Sequence, residues 1–198
     1  MTAQQIRELI AGLSSERANV RFASAKALCH LSESDPARVY PYFDEILGLI
    51  RQPNHILHWN GLRILAGLAK VDGARRIEQI LPEYLAPVAG PAMIGAAEAI
   101  AGGARIAAAK PHLAAEIVRN ILRVESASYA TPECRNVAIG HALKAFHHLT
   151  PLLEDTGPLK EFAARHADNS RQATRNKAIK LLDRLEHPSV RKAVVVAH

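Results

Sequence analysis

In the stretch NHILHWNGLRIL (54–65), His55 and His58 stand three apart, Trp59 follows the second, and Arg63 comes four residues later. On a helix, residues i and i+3 share a face, so the two imidazoles could reach one metal ion. A zinc site needs three or four protein ligands, and no acid or cysteine stands nearby to complete the set. His147 and His148 are adjacent. Adjacent helical residues diverge by about 100°, so these two do not meet at one point. Cys29 and Cys134 each sit in a helical apolar pattern and read as buried small hydrophobes; two cysteines make no disulfide framework. The chain carries no Gly-rich phosphate loop, nucleophile elbow or HExxH. AGGARIAAAK (101–110) has glycines, but no strand precedes it and no GKS or GKT ends it. The expectation is therefore no catalytic residue, no metal and no cofactor.

The elements that would position these side chains are helical. Apolar residues make up 48% of the 198-residue chain but aromatics only 5%; alanine, leucine and isoleucine carry the apolar share, which favours helices over strands. No run approaches the roughly 18 apolar residues of a membrane span. The start, MTAQQIRELI, contains an acid and lacks an apolar leader segment, so a cytoplasmic protein is expected. The net charge is +6. Residues 1–100 balance ten Lys/Arg against ten Asp/Glu, while residues 101–198 hold fifteen against nine. The asymmetry points to an acidic partner for the C-terminal half.

Internal periodicity organises the chain. VRFASAKALCHL (20–31) returns as LHWNGLRILAGL (57–68), more weakly as AMIGAAEAIAGG (92–103), then as RNVAIGHALKAF (135–146) and TRNKAIKLLDRL (174–185). The steps are 37, 35, 43 and 39 residues. A second helical pattern precedes each copy, and Pro, Gly and Asn punctuate the joins. This predicts five helical hairpins at about 2–33, 36–70, 73–108, 111–149 and 157–187, within one domain over 1–187. One hairpin cannot bury its apolar face alone, so neighbours must stack. The alanine and glycine of the third copy would let helices approach closely. A tail follows at 188–198, in which Pro188 should end the last helix and the apolar run AVVVA (193–197) could cap the final hairpin or dock on a second chain.

The period, the paired helices and the VRxxAxxAL-like pattern at 20–28 resemble HEAT repeats over residues 2–187. The resemblance implies an all-α fold, a right-handed α–α superhelix whose second helices line a concave surface. It also implies that Arg21 and Arg175 join a polar ladder between repeats; His58 occupies the same place in the second copy.

Advancing about 100° per residue from Arg21, residues Ser24, Ala25, Leu28 and Leu31 share its face, whereas Lys26 and His30 fall on the opposite side. The equivalents of Lys26 are Arg63, Glu98, His141 and Lys180. Those of Phe22 are Trp59, Ile94, Val137 and Asn176. Both rows fall on the face that the resemblance makes concave. Phe22–Lys26 and Trp59–Arg63 are spaced for cation–π contact. In the last copy Lys177, Lys180 and Arg184 extend the basic row, and Arg171 precedes it. The expected partner-binding residues are Phe22, Lys26, Trp59, Arg63, His141, Lys180 and Arg184.

Three functions are weighed. One is a non-catalytic scaffold that takes an acidic protein or peptide on the basic face. Another is nucleic-acid binding in the same groove. Some HEAT-like DNA glycosylases bind DNA this way, but Trp59 is followed four residues on by Arg63 rather than an acid, which argues against their chemistry. For the third, a phycobilin-lyase-like role, no tetrapyrrole-binding constellation is visible.

Overall fold

A computed structural model describes residues 1–187; the expectations for the tail at 188–198 lie outside the described residues. Among the described residues every element is an α- or 3-10 helix, with no strand.

The helices form five successive pairs: α1 (Ala3–Gly12) with α2 (Ala18–Ser34), α4 (Phe43–Ile50) with α5 (His55–Leu68), α6 (Arg76–Leu85) with α7 (Met93–Ala109), α8 (Ala114–Leu122) with α9 (Pro132–Leu149), and α10 (Gly157–Arg165) with α11 (Gln172–Glu186). A one-turn helix α3 (Pro36–Val39) leads into the second pair. Local chemistry sets the starts. Thr2 and Gln5 form a reciprocal capping box on α1. The Asn54 side chain accepts from the backbone N–H of Ile56 and Leu57 at α5, and Thr131 caps α9 with Pro132 in its first turn. Prolines at 36 and 111 stand just past the ends of α2 and α7, where the restricted residue before proline stops a helix.

The second helices stack in chain order, α2 on α5, α5 on α7, α7 on α9 and α9 on α11. One face of each supplies the core. Leu28, Leu65, Ile100 and Leu143 stand at one register and are all buried, each worth about 1.5–3 kcal/mol in transfer from water. Ala25, Leu62, Ala97 and Gly140 form a parallel buried line facing the next hairpin. Ile179, at the same register in α11, is 52% exposed; among the described residues no helix follows α11.

In the third pair one glycine answers to one neighbour. Tyr84 on α6 is fully buried and donates to the Leu62 carbonyl at 2.8 Å. A Cβ at Gly102 would fall on the Tyr84 hydroxyl, so only glycine leaves room for this link between the second and third hairpins.

Candidate interaction groove on the second helices

The rows containing Lys26 and Phe22 lie along α2, α5, α7, α9 and α11. Near the helix C-termini, Arg105 of α7 donates to Glu33 of α2 at 3.1 Å and to the Arg63 carbonyl of α5 at 3.2 Å. Packed helix axes lie about 8–10 Å apart, so a side chain that reaches two hairpins back places this surface on the inside of a curve. Glu33 and Arg105 share one register position (120° on the same wheel, roughly), beside the Lys26 row.

In the N-terminal half of the groove Arg63 is neutralised. Arg63 meets Glu98, the one acid of the row, with both nitrogens of its fork; the Nε–Oε2 distance is 2.7 Å. The hydrogen bond it donates to the Glu98 side chain raises the Arg63 guanidinium above its ordinary pKa. The expected cation–π pairs are corrected here. Arg63 is held by Glu98, and Trp59 instead stacks on His55 with centroids 6.1 Å apart, its indole lying over Gly95. Phe22 packs half-buried against the core, and the guanidinium above it belongs to Arg21, 5.9 Å from the centroid, rather than to Lys26. Ile56 and Ile94, 41% and 43% exposed, stand on the same face.

The two cysteines are half-buried rather than buried. Cys29 donates to the Asn60 side chain at 3.2 Å across the α2–α5 contact, and burial pushes its thiol up to about 11. An unreactive thiol follows from that value.

The C-terminal half is different. His141 is half-buried between helices, and burial, then Lys177 and Lys144, lower its pKa, with Glu98 opposing. The Lys177 ammonium lies over Gly140, 3.4 Å from where a Cβ there would stand. Burial, then Lys144 and Arg171, lower its pKa too. Among the described residues no carboxylate lies within ion-pair distance of Lys144, Lys177 or Lys180. Arg171 bonds Glu133 at 2.5 Å, and Arg184 donates to His147 at 2.9 Å.

Arg21, His58 and Arg175 occupy equivalent places but do not join a ladder between repeats. Arg21 donates to the Ser15 and Glu16 carbonyls at 2.6 and 2.8 Å. His58 Nδ1 stands 2.7 Å from the Ile50 carbonyl, which can only accept, so the proton sits on Nδ1. Arg175 donates to the Asn169 carbonyl at 2.7 Å. Each ties the second helix to the turn before it in its own hairpin. The reason is positional: the residue lies in the first turn of its helix, where the preceding chain leaves carbonyls free.

Buried contacts between hairpins come also from residues outside the repeated pattern. Asp72 is buried after α5 and accepts from Tyr40 (2.6 Å) and from the backbone N–H of Arg76 and Ile77. Lys110, after α7, reaches the Asp72 carbonyl at 3.0 Å, its carboxylate at 3.3 Å and Glu78 at 3.5 Å. Burial pushes the Asp72 carboxyl up, but the bonds from Tyr40, the two backbone N–H groups and Lys110 hold it below the usual range.

Sequence reasoning passed over Lys144. Its register equivalents are Cys29, Ala66, Ala101 and Asp183, and the three small residues that precede it hide the column. No group of three His, Cys, Asp or Glu among the described residues could hold a metal ion, and no described helix is long and apolar enough to cross a membrane. Compared with known proteins, the chain matches no protein-family model and no curated protein.

Proposed function

We propose that this chain is a HEAT-like α-solenoid scaffold that binds a protein or peptide partner in the groove formed by its second helices. The observation that carries this reading is the combination on one face of exposed apolar side chains, Ile56 and Ile94, with the exposed cations Lys26, Lys144 and Lys180. Large apolar side chains left in line on a curved surface are what a protein partner buries. The flanking cations steer an acidic one. Trp59 and Phe22, already packed against neighbours, would offer an edge rather than a free ring.

Nucleic acid is the weaker reading for the same groove. Backbone tracking needs a continuous cationic strip, and the Arg63–Glu98 pair interrupts it. Val137 and Asn176 replace the aromatics in the C-terminal half, where the free cations are.

The test is affinity capture with two variants. Changing Ile56, Ile94 and Lys180 to Glu should lower partner retention about tenfold or more; Arg119→Glu on the outer helix α8 should leave it unchanged. Equal retention by both would remove the groove from the interaction.

A further inference from the structure

We infer that Lys144 and Lys177, with His141 and Lys180 beside them, form an anion seat on the groove floor between α9 and α11, and that its occupant is a short acidic segment of a protein carrying adjacent carboxylates. The inference rests on the groove reading above and gives it a location and a ligand chemistry.

The repeat register carries the argument. At corresponding register positions of successive second helices stand Cys29 and Asn60, Ala66 and Gly95, Ala101 and Ala138, and Lys144 and Lys177. The first pair is joined by a hydrogen bond of 3.2 Å. The next two are small residues that permit close packing. Only the last places two cations at this interface. Like charges at neighbouring positions destabilise a helical surface, and a scaffold that needed only packing here has alanine and glycine as working answers three columns away.

The local geometry adds to the cost and shows why Lys177 is aimed. Gly140 lets Lys177 lie back over α9, so its ammonium is half-desolvated, one turn before Lys144. Among the described residues neither lysine has a carboxylate partner, whereas the nearby Arg171 has Glu133 and Arg63 has Glu98. Partly desolvated cations bind an incoming carboxylate more strongly than solvated ones do. A segment with two adjacent carboxylates can satisfy both ammonium groups at once and relieve their repulsion. The seat spans only two helices, which suits a few carboxylates better than a long run of phosphates.

The experiment uses the full chain and a fluorescein-labelled hexaglutamate peptide, with an oligothymidylate of equal charge as the second probe, both read by anisotropy at about 50 mM salt. Hexaglutamate should bind the wild type, and its affinity should fall about tenfold or more in Lys144→Met/Lys177→Met. Arg119→Met, on the outer helix α8 and away from the groove, should change it less than twofold, roughly the effect of one solvated charge. The double variant should melt at or above the wild-type temperature, since repulsion is removed. A lower melting temperature would make the lysines structural and overturn the seat. So would no hexaglutamate binding, equal loss in Arg119→Met, or tighter binding of the oligothymidylate through the same lysines. If capture of a partner still depends on the groove while hexaglutamate fails, the seat is wrong and the groove stands. If capture ignores the groove, the wider reading falls with it.

Discussion

Two lysines in this chain are drawn out of water into opposite surroundings. Lys110 is only 9% exposed and has the Asp72 carbonyl, the Asp72 carboxylate and Glu78 around its ammonium. Lys177 is half-buried and faces Lys144 and Arg171. A buried cation surrounded by acceptors is a structural member: removing it strands a charge. A partly buried cation beside other cations gains no ion pair that would hold the fold together. The first lies at the loops joining the second, third and fourth hairpins; the second lies on the inner face. The difference separates what keeps the stack closed from what the stack presents.

The largest expected effect tests the structural side. Lys110→Met leaves the Asp72 carboxylate buried with Tyr40 and two backbone N–H groups still bonded. Its cost should be about 3 kcal/mol, the lower end for breaking a buried pair. For a chain of this size that lowers the melting temperature by roughly 6–12 °C. A shift as small as that of an exposed lysine would erase the contrast with Lys177.

A middle effect concerns the carbonyl-binding arginines. Arg21→Ala removes two charged hydrogen bonds to the Ser15–Glu16 turn and should cost about 1–2 kcal/mol. Lys26→Ala, five residues on and exposed, should stay within about 0.5 kcal/mol. Chemical denaturation of the two variants decides it, and equal midpoints would mean that Arg21 does not close its hairpin.

How much of this was legible beforehand follows from where the information sits. The helical period and the punctuating prolines mark out helices because burial of one face is repeated in each copy, from Leu28 to Leu143. The row of Lys26, Arg63 and His141 was legible for the same reason. The pairing of Arg63 with Glu98 is present in the row itself, 35 residues apart, but a shared register alone does not say that two residues are partners across a helix contact. Lys144 stands in a column of small residues and carried no signal until the helices were stacked. Asp72 and Lys110 lie in connecting segments, which do not repeat, so no periodicity could bring them together. Arg21, His58 and Arg175 are equivalent in the repeat, but their partners are backbone carbonyls of the preceding turn or helix end, and carbonyls have no letter in a sequence.

The smallest effect, and the sharpest for the comparison, is in pH. His141 and His166 both have pKa values lowered in the fold, first by burial; Lys177 and Lys144 add to this at His141, whereas Glu125 opposes it at His166. In the unfolded chain both return to about 6.5. A base depressed in the fold binds fewer protons there than in the unfolded chain, so stability is lost as pH falls from about 6.5 through the folded value and is flat above it. Asp72, Glu78, Glu83 and Glu125 are all held below the usual carboxylate range. Their contribution is present above about 4 and is lost only on further acidification. Acid unfolding should therefore show a shallow first stage near neutrality and a steeper second one. Lys177→Met should act on the first stage alone, because it removes one of the two cations that hold His141 down. The His141 imidazole resonance, followed by NMR across pH, should titrate higher in Lys177→Met than in the wild type, while His166 stays in place. A His141 midpoint that does not move would mean that the two side chains do not sense each other, and the like-charged cluster on the groove floor would dissolve into separate surface groups.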